Sequence, residues 1–86
     1  MSLIYSSHFL RRLKRRVKKN PQLKQKVSRQ VNLLLTDENN PALRRHRLKG
    51  KWSRQQVIDI ESNLRITFFK TDGNVILLDI ITHDEY

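Results

Sequence analysis

The sequence predicts an α+β fold: one β-α-α-β-β-β domain spanning residues 1–86, with a helical hairpin packed on one face of a mainly antiparallel four-stranded sheet. Three observations carry that expectation. Two successive segments repeat apolar residues every three or four positions, with a break at Asn20-Pro21 between them. Three later segments are rich in β-branched and aromatic residues and are separated by turn signals. One short apolar segment precedes the helices. A chain of 86 residues supports one modest core.

Residues 2–6 read as a first strand, with Leu3 and Tyr5 on one side and Ile4 on the other. Ser6 and Ser7 supply a capping oxygen for a helix starting near His8. Phe9, Leu13 and Val17, with Leu10 beside them, form its narrow apolar stripe, and His8 reads as a surface residue. The rest of that helix is almost all cationic. Asn20 is placed to cap the next helix and Pro21 to occupy its first position, where a missing N–H is harmless. Leu23, Val27, Val31 and Leu34/Leu35 mark its buried face. So short a connection predicts antiparallel helices. Thr36 to Pro41 is a loop.

Residues 42–52 hold five Lys/Arg, pinned between Leu43, Leu48 and Trp52, with Gly50 allowing a bend. They predict a basic loop held in place, with the Trp52 indole packed beneath it. Trp52 to Glu61 reads as a strand with Ile58 and Ile60 inward and Val57, Asp59 and Glu61 on the other face. Ser62-Asn63 turns into Leu64-Arg65-Ile66-Thr67-Phe68-Phe69, the strand around which the rest is arranged. Its Leu64, Ile66 and Phe68 need cover from the helices, which leaves Arg65 on the opposite, open face. Thr71-Asp72-Gly73-Asn74 is a hairpin turn with Gly supplying a positive φ. Val75 to Thr82 is nearly all apolar, so it belongs in the middle of the sheet or buried on both faces.

The formal net charge is +10, and it is unevenly spread. Residues 1–51 carry 15 Lys/Arg against 2 Asp/Glu, a balance of +13, while residues 52–86 carry 3 against 6, a balance of −3. Such a surface attracts polyanions: nucleic acid, or an acidic protein. There is no cysteine, so disulfides and thiolate metal sites are excluded and a reducing compartment is allowed. No apolar run approaches the ~20 residues of a membrane span, and residues 1–5 lack a signal-peptide pattern. The expectation is a soluble, cytoplasmic protein without membrane contact.

Arg65 sits among apolar residues, and a guanidinium there needs an anion beside it. Asp59 or Asp79 of the protein is one candidate, and a bound phosphate is the other. Asp59 and His83 fall on the same side as Arg65, and the loop brings His46 and Lys49. Imidazole, guanidinium and ammonium groups suit metal-free breakage of an RNA phosphodiester. The 2′-OH attacks phosphorus, a base takes its proton, an acid protonates the departing 5′-oxygen, and cations hold the phosphorane charge. No HExxH, cysteine pair, GxGxxG or P-loop is present, so neither a metal nor a nucleotide cofactor is expected.

His46-Arg47-Leu48-Lys49-Gly50-Lys51-Trp52, Leu64-Arg65-Ile66-Thr67-Phe68 and Thr82-His83-Asp84-Glu85-Tyr86 together resemble the RelE/ParE toxin superfamily of bacterial type II toxin–antitoxin modules, nearest the YoeB/YafQ-like branch. The resemblance implies a RelE-like fold and a ribosome-dependent mRNA endonuclease. Such an enzyme works in the ribosomal A site without metal and leaves a 2′,3′-cyclic phosphate. It implies His46 as a base, Arg65 as holder of the scissile phosphate, His83 in acid or base work, and Tyr86 as a terminal aromatic that orients the nucleotide. Arg44, Arg45, Arg47, Lys49 and Lys51 would contact RNA or phosphate. The implied partners are a cognate acidic antitoxin, the ribosome and mRNA. Two departures stand out: Asp59 and Asn63 occupy positions where the YafQ branch has His and Asp, and Tyr86 follows Glu85 directly where many relatives have an intervening Val. The alternatives are a ParE-like inhibitor of DNA gyrase and a non-catalytic RNA- or ribosome-binding protein.

Overall fold

The computed structural model describes residues 2–50, 54–61 and 63–82. The order of elements is β1 (Ser2–Tyr5), α1 (Ser7–Lys19), α2 (Leu23–Thr36), a 3₁₀ turn (Pro41–Leu43), β2 (His46–Arg47), β3 (Gln56–Glu61), β4 (Leu64–Thr71) and β5 (Asn74–Thr82). The sheet runs β1-β5-β4-β3-β2, with β1 parallel to β5 and every other pair antiparallel. Among the described residues it therefore has five strands, not the four expected. The extra one is the two-residue β2, in the stretch expected to be loop. It is too short to show any alternation in the sequence.

The first helix begins as expected. Ser6 Oγ accepts from the Phe9 N–H at 3.0 Å and donates to the Leu78 carbonyl at 3.0 Å, so one hydroxyl caps α1 and ties it to β5. The second helix does not begin as expected. Asn20, at φ −142°, closes α1, and α2 starts at Leu23 with no side-chain cap. The first-turn N–H groups of Leu23 and Lys24 are taken by the Asn20 and Pro21 carbonyls.

Phe9, Leu23, Val27, Val31 and Leu34 of the helices meet Ile58, Ile60, Leu64, Ile66, Phe68, Val75, Leu77 and Ile80 of the sheet in one core, with Leu43 of the 3₁₀ turn. The helices thus cover the Leu64/Ile66/Phe68 face, as expected, and β5 lies inside the sheet. Gly73 turns the β4–β5 hairpin at φ 76°.

Two irregularities re-aim side chains. The β3–β4 register shifts between Asp59 and Glu61, so Ile60 has no partner of its own. The slip carries Glu61 to the helix side, where it meets Lys26 Nζ at 3.1 Å; strict alternation would put it beside Asp59. A second shift, between Thr67 and Phe68 in the β4–β5 pairing, displaces Leu78 of β5. Next to it Asp79 reaches α1, with Oδ1 2.9 Å from Arg12 Nε and Oδ2 3.1 Å from His8 Nε2.

Candidate active site

The sheet face away from the helices is ordered by register. His46 lies opposite Val57, and Val57 opposite Thr67. One step along, Asp59 lies opposite Arg65, and Arg65 opposite Ile81. Directly paired residues share a face, so His46, Val57, Thr67, Asp59, Arg65 and Ile81 all point the same way. With strands ~4.8 Å apart, the His46 and Arg65 backbones lie roughly 12 Å from each other. Both side chains can reach a group held between them.

This face is less open than expected. Val57 is fully buried, Thr67 is 3% exposed and Ile81 6%. The Arg65 side chain is 18% exposed and the Asp59 side chain 15%. Arg65 Nε stands 3.0 Å from Asp59 Oδ1, but the N–H is not aimed for a hydrogen bond, so the contact is an ion pair by proximity. Arg44 Nη1 approaches the other Asp59 oxygen at 3.8 Å. One carboxylate thus lies between two guanidinium groups and the cluster keeps a net positive charge. Asp59 positions Arg65, a role the sequence left open between Asp59 and Asp79.

His46 is exposed and sits at the outer edge. Its Nδ1 is 3.0 Å from the Arg44 carbonyl. A carbonyl only accepts, so Nδ1 carries the proton and donates, leaving a lone pair on Nε2 of the neutral ring. Arg44 makes this geometry by adopting the left-handed conformation, φ 49° and ψ 42°, which folds the chain back after the 3₁₀ turn.

The remaining cations divide. Arg44, Arg47 and Lys49 are exposed. Arg47 alternates with His46 and so projects from the other side of β2. Arg45, expected at RNA, is half-buried and hydrogen-bonded within the protein. Its guanidinium donates to the Glu38 carbonyl at 3.0 Å, Gln56 Oε1 at 2.7 Å and Asn39 Oδ1 at 2.9 Å. It staples the loop that leads into β2. Lys51, Trp52, His83 and Tyr86 lie outside the described residues.

One contributor is not foreseen from the sequence. Gln30, 8% exposed, donates from Nε2 to the Asp59 carbonyl at 2.8 Å and the Ala42 carbonyl at 3.2 Å. It fixes the backbone of β3 where the ion pair stands. A polar residue one step before Val31, on the buried stripe of α2, is the signal that could have found it. Among the described residues no group of three His, Asp or Glu side chains could hold a metal ion.

No protein-family model matches the sequence, and no curated protein matches it. Solved structures do match its fold. A crystal structure of YafQ from E. coli strain BL21(DE3) superposes with a TM-score of 0.81 at 19% identity, covering 95% of this chain and 92% of that one. The YoeB/ParE toxin from Agrobacterium tumefaciens gives 0.82 at 12% identity, over 96% and 99%. The E. coli DinJ–YafQ toxin–antitoxin complex gives 0.79 at 19% identity, over 95% and 91%. The chain has the fold of the RelE/ParE-like toxins.

Proposed function

We propose that this chain is the toxin of a type II toxin–antitoxin module and that it cuts mRNA on the ribosome. The observation that carries the reading is the placement of His46 and Arg65 on one sheet face, with the His46 tautomer set by the Arg44 carbonyl. The fold shared with YafQ and YoeB toxins supports it.

His46 Nε2 takes the proton of a ribose 2′-OH. The 2′-oxygen forms a bond to the adjacent phosphorus, and the phosphorane charge is held by the Arg65 guanidinium, which Asp59 positions in the free protein. The bond from phosphorus to the 5′-oxygen then breaks. The family resemblance gives His83 acid or base work and Tyr86 the orienting of the nucleotide; with His46 as the base, His83 is the group left to protonate that oxygen. The products are a 2′,3′-cyclic phosphate and a 5′-OH. Arg44 and Lys49 attract the backbone, and the ribosomal A site presents the strand. A cognate antitoxin restrains the enzyme; the DinJ–YafQ toxin–antitoxin complex, whose toxin shares this fold, supports such a partner. Among the described residues no helix is long and apolar enough to cross a membrane.

The test is purified protein with translating ribosomes and a defined mRNA. New 5′ ends by primer extension are expected, with 3′ ends that ligate only after the cyclic phosphate has been opened and the resulting monophosphate removed by phosphatase. Intact mRNA at protein levels that stop growth would overturn the nuclease reading. Inhibited supercoiling under those conditions would select the gyrase inhibitor instead.

A further inference from the structure

One buried oxygen on this face has no partner. Thr67 is 3% exposed, and its Oγ1 is closed to solvent with neither a hydrogen bond nor an ion pair. Among the described residues it is the only buried side-chain polar atom in that position, since Asp59 Oδ1 and Arg65 Nε, which also lack an aligned hydrogen bond, at least face each other at 3.0 Å. Leaving a buried hydroxyl unbonded is costly, and Val would fill the same volume without that cost. Val is also the better residue for a buried strand position on packing alone. A hydroxyl kept at such a position invites the question of what state of the protein uses it.

The register answers it. Thr67 lies two residues beyond Arg65 on β4 and one diagonal step from Asp59 on β3. Diagonal neighbours in an antiparallel pair stand about 7–8 Å apart at the backbone and less at Cβ, a gap that an Asp and a Thr close only when both turn toward each other; the carboxylate directly opposite Thr67 on β5, Asp79, is already engaged by Arg12 and His8. We infer that Thr67 is a positioning residue of the site: when an RNA phosphate draws the Arg65 guanidinium away from Asp59, the Thr67 hydroxyl donates to the carboxylate oxygen that Arg65 leaves. This rests on the cleavage reading above. In the free protein Asp59 holds Arg65. In the bound state the phosphate competes for the same cation, and a carboxylate 15% exposed would be stripped of its nearest partner. Arg44 guards one Asp59 oxygen from 3.8 Å, and the hydroxyl supplies the other. The hand-off lets Arg65 move to the reacting phosphate without leaving an uncompensated charge, and Thr67 never touches RNA.

The experiment compares wild type, Thr67→Val and Thr67→Ser in the ribosome cleavage assay, each with a urea melt. Thr67→Val is expected to be at least as stable as wild type, because it removes an unbonded hydroxyl. Its single-turnover rate at saturating ribosome–mRNA should fall about ten- to a hundred-fold, the usual weight of a hydrogen bond to a charged group. The concentration giving half-maximal rate should move little. Thr67→Ser, which keeps the hydroxyl, should recover most of the rate despite its smaller volume. Wild-type cleavage by a folded Thr67→Val chain overturns the inference and leaves the nuclease reading intact. So does a Thr67→Val chain less stable than wild type, since the hydroxyl would then already be bonded in the free protein. Equal rates for Thr67→Ser and Thr67→Val overturn it as well. Absence of cleavage by wild type overturns the nuclease reading and this inference with it.

Discussion

At the scale of single residues, His46 and Arg65 are set up differently, and their variants should behave differently. His46 is exposed, and its ring is held by the Arg44 carbonyl. His46→Gln should therefore change stability by no more than about 0.5 kcal/mol, while losing roughly 10²–10⁴-fold in cleavage if the imidazole is the base. Thermal melting and primer extension check the two halves of that statement. Arg65→Ala is a poorer probe than the sequence alone suggests. It strips a mostly buried carboxylate of its nearest cation, a change that costs up to about 3–5 kcal/mol in buried pairs. Arg65→Lys keeps the charge and removes the planar fork. It should stay folded and still lose cleavage, because a point charge cannot present two donors to a phosphate in fixed geometry. A fully active Arg65→Lys chain would show that the fork is not needed. The candidate residue types were legible in the sequence because chemistry is written in residue type. The partnership of Asp59 with Arg65 was not, because Asp59 and Asp79 are equivalent until the β3–β4 register is known.

Secondary elements were legible wherever periodicity had room to repeat. α1, β4 and β5 fall where their patterns put them. The start of α2 does not, because Asn20 is claimed by the end of α1 and backbone carbonyls take over the cap. The side of Glu61 differs from expectation because one bulge at Ile60 inverts the side chain that follows it. Ser6 fixes the start of α1. Ser6→Ala removes both the cap to Phe9 and the tie to Leu78, and should cost about 1–2 kcal/mol in a urea titration. Another element-scale contact is pH-sensitive. Lys70 hydrogen-bonds Glu38 and holds its carboxyl below the ordinary 4.5. A depressed carboxyl contributes stability above its unfolded pKa and loses it as pH falls through the lowered folded value. Lys70→Gln should flatten that acid-side slope in urea melts, through a small loss of stability above pH ~5 and none below the lowered folded value; the loss is small because the pair is largely solvated.

The whole molecule is polarised, and its charge asymmetry predicts a partner. Residues 1–51, which include both helices, carry a balance of +13, and α1 offers exposed Arg11, Lys14, Arg15, Lys18 and Lys19. The arrangement of helices on one face and candidate chemistry on the other was readable from hydrophobic pattern alone. How far Arg65 is buried was not, since burial depends on packing across strands distant in sequence. A nuclease of this kind must be restrained in the cell that makes it. We expect an acidic antitoxin whose flexible segment folds on this surface, giving up ordering entropy in exchange for a long interface. Two measurements decide it. Co-expression with the product of a neighbouring gene that encodes a small acidic protein should yield a co-purifying complex in which cleavage is silent. Because the partner binds only the folded domain, unfolding should shift by about 4 kcal/mol when free antitoxin stands roughly a thousand-fold above its Kd. Replacing Arg15, Lys18 and Lys19 by Gln should separate the two roles of the cations. Ribosome association should weaken, and its log–log salt slope should become shallower by about 0.7–0.9 for each phosphate no longer neutralised. Cleavage of mRNA already bound in the A site should be unchanged, because those side chains project from the helix layer and not from the face that holds His46 and Arg65. An unchanged salt slope would mean that the helices do not face ribosomal RNA, and that their charge serves the antitoxin alone.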